Sequence, residues 1–219
     1  MHLKPAFIFD MDGVIVDSNP AHKIALKEFC KKYGKDLSDE ELREKIYGRR
    51  NQDWLVKIFG PLDDARMKSF ADEKEELFRQ IYASDIQPLP GLTDFLKRLE
   101  EQALPRAIAT SAPRSNVDFT LEKTGLKCFF DTILDDSFVK EGKPHPDIYL
   151  KTARALNFDP TDCVVFEDSL AGVVSAKDAG CKVIGVTTTH TSDELEGTDL
   201  VIDNFCNLDP KELIFRLFK

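Results

Sequence analysis

Residues 6–18 read AFIFDMDGVIVDS. The apolar run 6–9 is too short for a helix and breaks at an acidic turn, so it reads as a buried strand. Asp10, Asp12 and Gly13 follow at once, which places two carboxylates and a glycine at the end of that strand. The chain around it changes character twice. From about 20 to 83 it reads as helix, and from 107 onward short apolar runs alternate with helical stretches.

The helical stretch carries four signals. Leu26, Phe29, Cys30 and Tyr33 fall on one helix face, and Gly34 stops them. Ser38 with Glu41 forms a capping box ahead of Leu42 and Ile46. Trp54, Leu55, Ile58 and Phe59 make a third stripe, ended by Gly60-Pro61; Met67, Phe70, Ala71, Leu77, Phe78 and Ile81 make a fourth. Strands are expected at 6–9, 106–109, 132–134, 163–166, 182–186 and 200–202, with helices between them at 114–124 and 169–179, and Pro210 opening a last one. Alternating strands and helices imply an α/β fold, a doubly wound parallel sheet with helices on both faces. The helical block interrupts it as an inserted all-helical cap. The expected division is a core of 1–16 and 86–219 and a cap of 17–85.

Composition narrows the function. A chain of 219 residues suits one large domain or a domain with an insertion, and 42% hydrophobic residues with sixteen Phe exclude a disordered chain. The net charge of −9 argues against a nucleic-acid or anionic-membrane partner, because phosphate backbones repel such a surface. No segment approaches the roughly 20 apolar residues of a membrane helix, and the start has neither the apolar length nor the cleavage site of a signal peptide. Five scattered cysteines without a CxxC point away from zinc and disulfides. The expectation is a reduced, soluble, cytoplasmic protein, and a monomer.

In an open parallel sheet, ligands bind beyond the carboxyl ends of the strands. Three strands here end in oxygen-bearing side chains: Asp10 and Asp12, then Thr110-Ser111, then Glu167-Asp168. Each alone is also a plausible turn or helix cap. Together they gather carboxylates at one dry edge, which is costly without a cation. All-oxygen ligands suit Mg²⁺ better than zinc or copper. Lys143, in GKPHPD at 142–147, sits on a proline-braced turn, where it either meets a phosphate or carboxylate or is a solvated surface lysine.

These residues resemble the haloacid dehalogenase-like superfamily of aspartate-nucleophile phosphatases. DMDGVIVDS at 10–18, ATSA at 109–112, Lys143 in its proline-braced turn and VVFEDSLAGVVSAKDAG at 164–180 are similar to its four motifs, in order. The last is of the type found in the β-phosphoglucomutase-like and sugar-phosphatase subgroup. The resemblance implies Asp10 as nucleophile and Asp12 as general acid and then base. It implies Mg²⁺ held by Asp10, the carbonyl of Asp12 and Asp168, with Glu167 in or near the metal shell. Thr110, with backbone N–H groups near Ser111 and Ala112, would hold the phosphate. Lys143 would neutralise charge between Asp10 and phosphorus, and Gly13 would let the backbone come close.

The cap sets the substrate in that subgroup. Lys74 and His22 lie on the apolar stripes of their helices, facing inward, where a lone polar group needs a partner. By spacing they contact substrate, or they are a snorkelling lysine and a packing histidine. Arg49 and Arg50 follow Gly48 in a loop that, by the resemblance, faces the site. They suit a second phosphate or sugar hydroxyls, or else form a solvated pair. β-Phosphoglucomutases have small residues after this glycine, so Arg49-Arg50-Asn51 departs from them. Thr187-Thr188-Thr189-His190 follows the fifth strand, at the site edge or in a polar loop.

The resulting expectation is a Mg²⁺-dependent phosphatase acting on a small phosphorylated metabolite, a sugar phosphate. A phosphomutase that returns the phosphoryl group to a sugar shares the same core residues. A receiver-like phospho-acceptor module also uses Asp, Thr, Lys and Mg²⁺. Its aspartate ends a middle strand, however, and it carries no helical insertion.

Overall fold

A computed structural model describes residues 4–47 and 49–218, apart from the side chain of Arg43. Residues 1–3, Gly48 and Lys219 lie outside the described residues. The chain begins with β1 (Ala6–Phe9), then α1 (Asn19–Lys32), α2 (Asp39–Lys45), α3 (Asn51–Phe59) and α4 (Asp64–Tyr82). It continues with α5 (Leu92–Glu101), β2 (Arg106–Ala109), α6 (Arg114–Thr124), β3 (Thr132–Leu134) and α7 (Asp147–Leu156). It ends with β4 (Cys163–Glu167), α8 (Leu170–Asp178), β5 (Lys182–Val186), β6 (Leu200–Ile202) and α9 (Pro210–Leu217).

The six strands form one sheet in the order β3-β2-β1-β4-β5-β6, and every pairing is parallel. Phe9 pairs with Ile108 on one side and Phe166 on the other. Side chains alternate between the faces of a strand, and this alternation builds the layers. Phe7, Phe9, Ile108, Phe166 and Ile184 enter one core with Phe95 of α5, Val117 of α6 and Leu213 of α9. Ala6, Ile8, Ala109, Val165 and Val183 enter the other with Tyr149 of α7 and Val173 of α8. In the first core Phe9 and Phe166 stack at 4.9 Å, and Phe7 meets Phe95 edge-on at 6.0 Å. Each fully buried ring contributes about 2 kcal/mol by area alone, so the phenylalanines hold the central strands between their helices. β4 runs one residue beyond the expected 163–166, and Glu167 is itself part of the strand.

The four cap helices have an apolar cluster of their own, around Leu26, Phe29, Leu42, Trp54, Leu55 and Phe70. The capping box forms as expected: Ser38 accepts from the Glu41 N–H at 3.2 Å, and Glu41 accepts from the Ser38 N–H at 3.0 Å. At the base of the cap, Ala21, Ala25, Phe78 and Tyr82 join the core of the sheet instead. Tyr82 donates to the Asp17 carbonyl at 3.0 Å and ties α4 to the segment leaving β1. An isolated bridge between Val16 and Pro88 joins the two connecting segments. All five cysteines are free, and no described helix is long and apolar enough to cross a membrane.

Candidate active site

β1, β2 and β4 are adjacent strands and end level with one another, so their terminal side chains share one edge. The Asp10 N–H donates to the Phe166 carbonyl at 3.0 Å, and the Thr110 N–H to Leu134 at 3.0 Å. Asp10, Thr110 and Asp168 are all buried there. Thr110 Oγ1 accepts from the Ala112 N–H at 3.1 Å, which leaves its own hydrogen to donate. The Ala112 N–H, expected at the phosphate, is engaged in that turn.

Lys143 is the buried cation of the group. It donates to Asp10 Oδ1 at 2.7 Å and to Glu167 Oε1, and lies 5.1 Å from the centre of the Tyr149 ring. Proximity to the two carboxylates outweighs burial and holds the lysine charged, with its pKa above the ordinary 10.5. Burial pushes Asp10 up to about 7, although Lys143 pulls the other way. Burial, Glu167 and Asp10 push Asp168 well above the carboxylate range. One oxygen from each of Asp10, Glu167 and Asp168 lies within 4.8 Å of the others. Three buried carboxylates thus face one lysine. That excess of negative charge is costly without a further cation, and an all-oxygen donor set fits a hard divalent ion.

The three carboxylates are not equivalent. Glu167 accepts from Lys143 and from the Tyr149 hydroxyl (2.7 Å) on Oε1. Its Oε2 accepts from the Asp168 and Ser169 N–H groups, both at 3.0 Å, and from the Ser169 hydroxyl at 3.1 Å. These five donors occupy the lone pairs of a carboxylate. Its side chain also lies against Gly172, where a Cβ would overlap it. Glu167 therefore stands behind the site and orients Lys143 and the 167–169 turn. The described hydrogen bonds of Asp10 and Asp168 fall on one oxygen each: Oδ1 for Asp10, and Oδ2 for Asp168, which accepts from Asn19 (3.2 Å) and Thr189. Gly13 has φ +78°, a conformation that favours glycine, and a Cβ there would overlap Asp168 Oδ2. Its carbonyl accepts from Thr188 at 2.6 Å, so the threonine loop after β5 does reach the site.

Asp12 accepts from Ser18 at 2.6 Å and lies 3.5 Å from His22 Nε2. Burial raises its pKa, but hydrogen bonds from His22 and Ser18 and the nearby Lys74 charge prevail and hold it below the ordinary 3.8. The His22 ring stacks on Phe78 at 3.7 Å, with Nδ1 2.9 Å from Lys74 Nζ. Both predicted inward-facing groups thus have partners and line the cleft. Lys74 also meets Glu75 at 2.9 Å. Glu75 accepts from Asn51 at 2.8 Å and from Asn116 at 2.6 Å. Burial raises Glu75, but Lys74, His22 and these hydrogen bonds leave it below 4.5.

The cleft between cap and sheet holds about 70 Å³ of free space. Arg49 lines it, as expected. Arg50 does not: its guanidinium pairs with Asp53 and donates to the Val139 carbonyl at 2.9 Å. The expectation that Arg50 contacts substrate is corrected accordingly. A neighbouring aspartate three residues along the helix neutralises Arg50 and turns it toward the core. Asn19, Tyr149, Glu75, Asn51 and Asn116 were not expected at the site. Glu75 carried a signal in sequence, being adjacent to Lys74, but the others are ordinary residues at ordinary spacings.

The model of the family described as haloacid dehalogenase-like hydrolase matches residues 7–186. The chain belongs to the haloacid dehalogenase-like hydrolases. Among members of this family with an assigned activity, it is 33% identical over 180 residues to a phosphorylated carbohydrates phosphatase of Thermotoga maritima, covering 82% of this chain and 83% of that protein. The crystal structure of a haloacid dehalogenase-like hydrolase from Entamoeba histolytica superposes with a TM-score of 0.88 at 33% identity, covering 98% of this chain and 100% of the other. A β-phosphoglucomutase from Clostridium difficile superposes with a TM-score of 0.86 at 27% identity, covering 97% and 96%.

Proposed function

We propose that this haloacid dehalogenase-like hydrolase is a Mg²⁺-dependent phosphatase. It hydrolyses a small phosphorylated carbohydrate through an aspartyl-phosphate on Asp10, with residues 17–85 as its cap. The observation that carries the reading is the placement of Asp10 with Lys143 at 2.7 Å, beside Asp12 and Asp168, at the floor of a cleft roofed by Lys74, Glu75 and Asn51. Below the roof sits a phosphoryl-transfer constellation. The roof itself offers donors and acceptors of both kinds, which suits a polyhydroxylated leaving group.

The chain's own residues divide the work. Asp10 attacks phosphorus in line with the leaving oxygen, and its carboxylate becomes the acyl phosphate. Lys143 favours the ionised form of Asp10 and offsets charge on the phosphoryl oxygens, while the Thr110 hydroxyl and Ser111 hold them in place. Asp12 protonates the leaving sugar oxygen. Once ionised it takes the proton of the water that attacks the aspartyl-phosphate, which restores the acid for the next leaving group; Ser18 at 2.6 Å and His22 at 3.5 Å favour the ionised form between the two steps. Asp10, Asp168 and the carbonyl of Asp12 would hold Mg²⁺, which when bound screens the nucleophile from the anionic phosphate.

Similarity to a phosphomutase supports a second reading in which a sugar replaces water as acceptor. One experiment separates the two. A β-hexose 1-phosphate is followed by phosphorus NMR with Mg²⁺ and a trace of hexose bisphosphate. Growth of inorganic phosphate, abolished by chelation, is the expected result, and a panel of sugar phosphates follows. Growth of hexose 6-phosphate without free phosphate would make the chain a mutase. Turnover unaffected by chelation would overturn the metal assignment.

A further inference from the structure

Arg50 is buried at the boundary between cap and core, 4% exposed. Its Nε and Nη2 pair with the two oxygens of Asp53 at 2.9 and 3.0 Å, which cancels its charge within the cap. Its Nη1 crosses to the core and donates to the Val139 carbonyl at 2.9 Å. The receiving surface is shaped for it. A Cβ on Gly142 would lie 2.6 Å from Arg50 Nε and 2.8 Å from Asp53 Oδ2. A side chain at that spot would have to displace the pair.

The segment that Arg50 grips is the one that delivers Lys143. On the core side it is held by Lys151, which donates to the Phe138 carbonyl at 2.9 Å, and by Ser175, which donates to the His145 carbonyl at 2.7 Å. Between those two anchors the Val139 side chain packs in the core, and the polar contact on its carbonyl and on Gly142 comes from the cap. A lysine side chain has four rotatable bonds and directs its ammonium only as well as its backbone is held. A cap that lifted would take that brace with it.

We propose that Arg50 is a positioning residue: with the cap closed, it seats on Val139 and Gly142 and holds the loop that presents Lys143 to Asp10. Closure thereby does two things at once. It excludes water from the cleft, and it completes the charge balance around the nucleophile. The kinetic part of the test rests on the phosphatase reading, while the exchange part does not.

The test is a double-mutant cycle with Arg50→Ala, Gly142→Ala and the pair, assayed on a hydrolysed sugar phosphate with kcat and KM resolved. Amide hydrogen exchange over 139–143 is measured on the same four proteins. Each single variant is expected to lower kcat about tenfold, equivalent to 1.4 kcal/mol, with little change in KM. Each should also raise exchange over 139–143, with the sheet as unchanged as in the parent. The pair should be no worse than either single variant, because the added methyl acts by displacing Arg50.

If the losses multiply to about a hundredfold, Gly142→Ala acts on Lys143 directly and the proposal fails. It also fails if Arg50→Ala leaves both kcat and exchange unchanged. A parent protein that turns over no phosphoester overturns the phosphatase reading, and the exchange measurement then decides the clasp by itself. If Gly142→Ala or the pair loosens the whole sheet, Arg50→Ala decides alone: lower kcat with faster exchange over 139–143 supports the clasp, and both unchanged overturns it.

Discussion

Replacing Glu75 by Gln tests whether the buried polar roof is one linked structure. Glu75 is buried and accepts on both oxygens: from Lys74 (2.9 Å) and Asn51 (2.8 Å) on one, and from Asn116 (2.6 Å) on the other. The substitution preserves shape but does two harmful things. It leaves the buried Lys74 cation without its carboxylate, and it turns an NH₂ group toward at least one of three donors. Removing one partner of a buried pair costs about 3–5 kcal/mol. Lys74 keeps His22 at 2.9 Å and the Phe78 ring at 5.7 Å, so the lower end, about 3 kcal/mol, applies. For a chain of this size that lowers the thermal midpoint by about 6–12 °C.

The pH dependence has a definite sign. The Glu75 carboxyl in the fold lies below the ordinary 4.5, so its contribution is present above 4.5 and is lost as pH falls through the folded value. Denaturant melts of parent and variant should therefore differ fully at neutral pH and converge in strong acid. A difference under about 1 kcal/mol at neutral pH, within the range of an exposed ion pair, would show that Glu75 and Lys74 are solvated and that the roof is not closed. A difference that grows in acid would refute the linkage argument itself.

Three further outcomes are expected. Asp10→Asn should abolish turnover without lowering the thermal midpoint, since it removes one charge from a crowded group of carboxylates; normal activity would remove Asp10 as nucleophile. Lys74→Ala should depress turnover of the natural sugar phosphate far more than that of p-nitrophenyl phosphate, which has no hydroxyls for the roof to hold; equal losses on both would place Lys74 outside substrate recognition. Burial, helped by Asp135, pushes half-buried Asp136 up to about 6, against the pull of Arg50, so the fold favours its protonated form. Its destabilising effect grows as pH rises from 3.8 to about 6. Asp136→Asn should therefore stabilise the protein at pH about 7.5 by about 1 kcal/mol after solvent screening, and not at pH about 4. A gain of equal size at both pH values would point to a cause other than charge.

The sheet was legible because each strand is a short apolar run closed by a polar turn, and that pattern needs no knowledge of neighbours. β1, with its four consecutive buried residues, is the clearest case. The capping box at Ser38 was legible for the same reason, since its two hydrogen bonds span only three residues. Asp10, Thr110 and Asp168 could be placed together from sequence, because strands of a parallel sheet present their carboxyl ends at one edge.

The partnerships across the chain were decided by tertiary structure. Adjacent Arg49 and Arg50 look alike in sequence, yet one lines the cleft and the other is turned into the core by Asp53 and received by Gly142. Glu167 and Asp168 read as a pair of metal ligands, yet five donors from α7, the 143 loop and the 167–169 turn converge on the first. Asn19 reaches Asp168 across 149 positions, and Arg50 reaches Val139 across 89. Local rules of periodicity and capping act over a few residues, and by themselves they determined the strands, the cap helices and the chemistry at the strand ends. Which polar group meets which depends on how helices from distant parts of the chain pack, and only the folded molecule settles that.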